Sequence, residues 1–181
     1  MPRINPIDLT TTPAGTKATL EAVKAKIGMV PNLHSTLAHA PAALNGYLAL
    51  GEALANGQLT PRQREIVALA TGQANQCQYC LSAHTLLGKG VGLSPAAIRD
   101  ARDGKASDAQ DNAVAALVKR LIETRGAVSD SDLSAARQAG LDEARILEVV
   151  VHVAMNVLTN FTNNVAQTAI DFPLVDLALA A

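Results

Sequence analysis

The chain predicts an all-α protein, and three observations carry that reading. Aromatic residues make up only 2% of its 181 residues and Trp is absent, while 49% of the chain is hydrophobic. Its core must therefore be built from Ala, Leu, Val and Ile, which suits close-packed helices better than a sandwich or a barrel. Helix-start signals recur along the chain, the strongest being Thr60-Pro61-Arg62-Gln63: a capping Thr, Pro at the first helical position and Gln at the third. No segment alternates cleanly between apolar and polar residues with period two.

Taken in order, residues 1–15 hold Pro2, Pro6, Pro13 and Gly15 and read as an extended N-terminal arm. Residues 16–181 then form one helical domain, a length that suits a single sizeable core. A helix is predicted from Thr16 to Ile27, followed by a loop over Gly28-Met29-Val30-Pro31-Asn32. The next helix runs from Pro41 to Ala55 and closes at Asn56-Gly57. The helix opened by Thr60 carries Ile66, Leu69 and Ala70 on one face. Ser94-Pro95 and the stretch from Ser107 open two more helices, separated by Asp103-Gly104. A short helix from Ser129 to Ala139 stops at Gly140, and Asp142 caps the last one. Val149 to Val153 is rich in β-branched residues, yet Ile146, Val150, Val153 and Val157 recur at helical spacing without a turn signal, so helix is predicted there too.

A faint internal repeat accompanies this pattern. A shift of 83 places Glu148 on Glu65, Val149–Val151 on Ile66–Ala68, Asn160 on Cys77, Asn163 on Cys80 and Gln167 on His84. Two related helical units are implied, one with a reactive set and one without.

Several function classes are disfavoured. The formal net charge is −1 with no run of Lys or Arg, so the electrostatic footprint of a nucleic-acid binder is missing. The opening MPRINPIDLTTTPAG has no apolar stretch of the signal-peptide kind. The longest apolar run, Ile146 to Leu158, is too short for a membrane span and contains His152 and Asn156. A cytoplasmic protein is expected, with no membrane or nucleic-acid partner.

The chemistry concentrates in Cys77-Gln78-Tyr79-Cys80, the chain's two cysteines. In a reducing compartment such a pair is more often catalytic or metal-binding than structural. Zinc needs two further soft ligands, and neither a second CxxC nor an HxxxH supplies them. No metal or other cofactor is therefore expected. Cys77 and Cys80 share a helix face, with His84 one turn beyond. Asn75 and Gln78 resemble a capping box, which would put both thiols in the opening turns of a helix, where backbone N–H groups favour thiolate. Glu65 lies twelve residues before Cys77. On one unbroken helix it would point roughly 120° away, at about 100° per residue, so it reaches the thiols only if the chain bends between Gly72 and Asn75.

A thiolate that attacks a peroxide becomes a sulfenic acid, and a neighbouring thiol condenses with it to a disulfide. His84 suits the base that removes the thiol proton, with Glu65 orienting it. Cys77 is nearer the helix start, where a dipole effect is worth about 0.3–1 kcal/mol. Cys80 is nearer the base, which contributes on the order of 10²–10⁴-fold in rate, so Cys80 is expected to strike first and Cys77 to resolve. Tyr79 reads as a packing residue, and His34, His39 and His152 as isolated structural histidines. Asn156, Asn160, Asn163 and Asn164 form a polar stripe, read either as a hydrogen-bonded helix or subunit contact or as the silent counterpart of the reactive set.

Glu65, eleven intervening residues, and Cys77-x-x-Cys80-x-x-x-His84 together resemble the signature of alkylhydroperoxidase D-like proteins in the carboxymuconolactone decarboxylase family. Looser similarity extends from His39-Ala40-Pro41 to Asp171-Phe172-Pro173. The resemblance implies an all-helical domain, assembly as trimers or hexamers, and thiol-dependent reduction of a hydroperoxide. Recycling would come from a dithiol partner, dihydrolipoamide-like or thioredoxin-like. It also implies Cys80 as peroxidatic, Cys77 as resolving, and Glu65 with His84 as proton relay. Alkylhydroperoxidase D itself has His where this chain has Tyr79, and its motif lies later in the chain; both place this sequence among the looser peroxidase-related members.

Two other functions compete. A lactone decarboxylase, which the family name invites, has no need of a vicinal dithiol. A redox sensor without turnover would use the disulfide to alter assembly. A thioredoxin-like oxidoreductase is disfavoured because no βαβ pattern surrounds the CxxC. A homo-oligomer is expected, with Leu44, Leu48 and Leu54 as its apolar surface.

Overall fold

The computed structural model describes residues 1–179, among which nine α-helices and no strand occur. They are α1 (Ala14–Ile27), α2 (Asn32–Leu37), α3 (Pro41–Ala55), α4 (Pro61–Ala74), α5 (Gln78–Gly90), α6 (Pro95–Arg102), α7 (Ala109–Thr124), α8 (Asp130–Gln138) and α9 (Glu143–Ala166). Helix α4 is the hub, packing against α5, α6, α7 and α9, while α2 and α3 lie on α9. Burial divides accordingly. The larger core, with Ile66, Val67, Leu69, Val114, Val118 and Val149, surrounds α4. A smaller one gathers Leu20, Leu33, Leu37 and Leu44 against Tyr79, Cys77 and Cys80.

The caps explain most boundaries. Thr60 and Gln63 form a reciprocal capping box with Pro61 at the first position, as the sequence predicts. Ser94, Ser129 and Asp142 cap α6, α8 and α9 with their side chains. Helix α3 has the predicted bounds, and Val149–Val153 lies within α9.

Four expectations need correction. Helix α2 lies in a stretch the sequence left unassigned; its N-cap is Pro31 and no side chain caps it, so no start signal was there to find. Helix α7 is capped by Asp108, which accepts from Gln110 and Asp111, rather than by Ser107. Asn75 opens no helix: it terminates α4, and Cys77 is the N-cap of α5. Leu44 and Leu54 are buried in the chain's own core, which removes them as an oligomer surface. The arm also starts its helix slightly early, at Ala14, and is tied down where Arg3 and Ile4 donate to the Ala166 carbonyl and Ile7 donates to that of Ser35.

Helix α9 has the length and composition to cross a membrane. Its inner face, however, carries His152, Asn156, Asn160 and Asn163 into the protein interior, against α4 and its neighbours. The helix is thus built into the protein's core, where Asn156, Asn160 and Asn163 each find a hydrogen-bond partner inside the fold.

Candidate active site

The chain reverses between α4 and α5, and that turn assembles the site. Asn75 ends α4, Gln76 takes a left-handed conformation at φ 51°, and Cys77 begins the next helix. The Cys77 N–H donates back to the Gly72 carbonyl at 2.9 Å, closing the turn. The bend therefore lies at Asn75–Cys77, beyond Gly72, which is itself helical. Gly72 permits close packing instead: a Cβ there would touch the Cys80 and Leu81 side chains at 3.6 and 3.5 Å.

Folding α5 back along α4 brings Glu65 to His84. Glu65 Oε2 lies 2.8 Å from His84 Nδ1, across nineteen residues of sequence, and both side chains are partly buried. A carboxylate can only accept here, so Nδ1 carries the hydrogen, and in the neutral ring the free lone pair is on Nε2. Cys77 and Cys80 are joined as a disulfide. The Cys80 N–H also donates to Cys77 Sγ at 3.2 Å, because the N-cap sulfur faces the unpaired N–H groups of the first turn.

The two sulfurs differ in access. Cys80 lines a cavity of about 460 Å³, and Cys77 does not. Cys77 is fully buried and Cys80 3% exposed. Glu65 and His84 share the cavity wall with Cys80, and the remaining lining is largely apolar: Leu33, Tyr47, Ala68, Met155, Phe172 and the rim residues Leu86 and Leu87.

Asn163 on α9 donates from Nδ2 to Cys80 Sγ at 3.4 Å. Its neighbours in the stripe hold the turn, since Asn75 donates to Asn160 Oδ1 and Asn164 donates to the Asn75 carbonyl. The hydrogen-bonded reading of the stripe therefore holds: it clamps the loop that carries Cys77. Residues 80 and 163, related by the 83-residue shift, meet in space. The helical part of the second copy nevertheless differs, because α9 runs unbroken where the first copy turns, and Gln167 falls beyond its end.

His34 and His152 prove to line the cavity, whereas His39 contacts the Asn5 carbonyl elsewhere. Burial holds the His34 imidazole below its usual range, and burial together with the Arg64 charge does the same for His152. Both therefore favour the neutral ring. Tyr79 packs edge-on against Phe172, and its hydroxyl accepts from the Leu33 N–H at 3.2 Å. Burial pushes its phenol strongly upward, so it stays protonated. No spacing in the sequence pointed to Met155, Tyr47 or Phe172, which converge from three separate elements.

The carboxymuconolactone decarboxylase family model matches residues 41–123, which span α3 to α7 and include Glu65, Cys77, Cys80 and His84. A peroxidase-related protein with an alkylhydroperoxidase core, from Ralstonia eutropha JMP134, superposes with a TM-score of 0.84 and 26% identity over 94% of this chain and 92% of its own. Residues 41–123 are thus similar to the carboxymuconolactone decarboxylase family, and the fold as a whole is similar to that of an alkylhydroperoxidase core. A peroxidase-related protein from Silicibacter sp. TM1040 shares the fold at a TM-score of 0.80 and 21% identity, over 92% of this chain and 91% of that one. So does the debrominase Bmp8, solved as a Cys-to-Ala variant with 2,3,4-tribromopyrrole, at 0.77 and 14% identity over 93% and 91%. No curated protein matches the chain. The alkylhydroperoxidase D-like fold thus covers nearly all of it, and the family segment holds the reactive set.

Proposed function

We propose that this protein is a thiol peroxidase that reduces organic hydroperoxides, or hydrogen peroxide, through a Cys77–Cys80 dithiol cycle. The observation that carries the reading is the placement of Cys80 on the wall of an apolar cavity beside the Glu65–His84 pair, with Cys77 bonded behind it. In the reduced protein, His84 Nε2 takes the Cys80 thiol proton directly or through one water, while Glu65 holds the ring in the required tautomer. The thiolate attacks the outer peroxide oxygen, the O–O bond breaks, and the departing alkoxide recovers the proton from His84. Cys80 is left as a sulfenic acid. Cys77 then attacks Cys80 Sγ; the S–S bond forms and hydroxide leaves with the Cys77 proton as water. The Asn163 amide stabilises the Cys80 thiolate, and the Cys80 N–H that of Cys77. A dithiol reductant returns the disulfide to thiols. The activity belongs in the cytoplasm, where such a reductant is maintained.

The order of the two sulfurs is open to direct test by sulfenic-acid trapping. With one equivalent of cumene hydroperoxide and dimedone, Cys77→Ser is expected to accumulate an adduct on Cys80, and Cys80→Ser to react slowly. The reverse pattern would exchange the roles.

A further inference from the structure

Two charges must be managed when a thiolate cleaves a peroxide: the one that attacks and the one that departs. The first has Asn163 on its sulfur and His84 on the same cavity wall. The second gathers on the inner oxygen as the O–O bond breaks, and a donor already in place there lowers the barrier. Most polar groups of the cavity are committed to the fold. Thr159 donates to the Asn156 carbonyl, and the Asn156 amide to that of His152. Arg64 spans to the Ala55 and Leu59 carbonyls, and the Tyr79 hydroxyl is held by the Leu33 N–H. His34 Nδ1 and His152 Nε2 lack partners, yet both nitrogens are themselves buried. Tyr47, on α3, differs from all of these. It lines the same cavity, its ring tilts against that of His34 at 5.6 Å between centroids, and its hydroxyl has no hydrogen-bond partner among the described residues.

We propose that the Tyr47 hydroxyl donates a hydrogen bond to the inner peroxide oxygen as it departs, which makes Tyr47 a further catalytic residue of this site. The proposal rests on the thiol-peroxidase reading above and adds the group that serves its leaving oxygen. The Cys80 thiolate forms the S–O bond with the outer oxygen while the O–O bond breaks. The electron pair of that bond passes to the inner oxygen, and the Tyr47 hydrogen bond strengthens as its charge grows. The proton that His84 took from Cys80 then neutralises this oxygen, the alcohol leaves, and Tyr47 keeps its own hydrogen. A phenol suits the task, since it donates while itself neutral. Burial, and after it the Glu65 charge, push the Tyr47 phenol above its usual range, so the group remains a donor at neutral pH. The influence of Glu65 also ties Tyr47 to the carboxylate that orients His84. Peroxides with poor leaving groups gain most from such a donor, and those that release a stable anion gain least.

Single-turnover oxidation of the reduced protein tests this, with disulfide formation followed by acid quench and alkylation while the rate is proportional to oxidant. Two oxidants are compared. An alkoxide leaves from tert-butyl hydroperoxide, whereas peracetic acid expels acetate, an anion that needs no donor. Tyr47→Phe loses only a hydroxyl without a partner among the described residues, so the ring and its packing on His34 are retained. The variant should slow the reaction with tert-butyl hydroperoxide on the order of 10²-fold, the loss typical of one oxyanion donor. Oxidation by peracetic acid, and alkylation of Cys80 by iodoacetamide in the Cys77→Ser background, should keep the parent rates. Equal slowing with both oxidants would mean that Tyr47 acts through packing. No slowing with either would remove it from the chemistry. Each of these results overturns the proposal while the peroxidase reading stands. A native chain inert to both oxidants would overturn that reading, and the proposal with it.

Discussion

At the scale of single residues, the reactive set was legible because its chemistry fixes its spacing. A CxxC followed by His one turn later leaves few other uses, whereas Glu65 stood out only through the family resemblance, and it is the turn between α4 and α5 that brings it to His84. Asn163 was visible only as part of a polar stripe, since nothing in a sequence says which side chain a buried amide will face. Its Nδ2 lies on Cys80 Sγ at 3.4 Å, and a hydrogen bond to a charged partner is worth about 1.5–3 kcal/mol. Asn163→Ala in the Cys77→Ser background is therefore expected to slow iodoacetamide alkylation of Cys80 near neutral pH by about tenfold. A small change in Tm would separate this from general loosening. Alkylation at the parent rate would show that the amide contributes packing alone.

Individual helices were read with uneven success, for reasons that lie in their ends. Helices with a side-chain cap or an N1 proline, such as α3, α4 and α8, appear where the sequence puts them. Helix α2, six residues with no capping side chain, is held by its surroundings and leaves no local signal. The turn into α5 was misassigned because Asn75 and Gln78 imitate a capping box while Gln76 adopts a left-handed φ, a choice made by tertiary packing. Helix α9 also corrects the expected oligomer surface. Its outer face exposes Leu147, Val151, Leu158, Phe161 and Val165, which follow one another at steps of three, four or seven residues, the seam of a helix–helix contact. We propose that a second copy packs there. Light scattering at micromolar concentration should give an oligomer for the native chain and a monomer for Leu147→Glu/Phe161→Glu. A native monomer, or a double variant that still assembles, would remove the proposal.

For the whole molecule, the all-α class followed from composition and periodicity, whereas the cavity did not. Its walls come from elements far apart in the chain, and the histidines that seemed isolated, His34 and His152, share it with Cys80. Both imidazoles sit below their usual range, chiefly through burial. A group whose folded value is depressed stabilises the fold above its unfolded value and loses that contribution as pH falls. From the ordinary histidine value of 6.5 downward, stability should therefore decline before the carboxylates titrate. Thermal melts between pH 7 and 5 should show a falling Tm that flattens in His152→Leu. An equal slope in the variant would assign the acid sensitivity elsewhere.

The same cavity joins the scales, because it gives one sulfur access, a base and an apolar approach at once. Turnover is what distinguishes an enzyme from a sensor built on this dithiol. The most direct measurement is consumption of cumene hydroperoxide with excess dithiothreitol, comparing native protein with Cys80→Ser and Cys77→Ser. Many turnovers are expected of the native chain, none above the uncatalysed rate for Cys80→Ser, and at most slow, monothiol-like turnover for Cys77→Ser. A native protein that forms its disulfide yet consumes no more than one equivalent, or a Cys80→Ser variant that retains native turnover, would contradict the account.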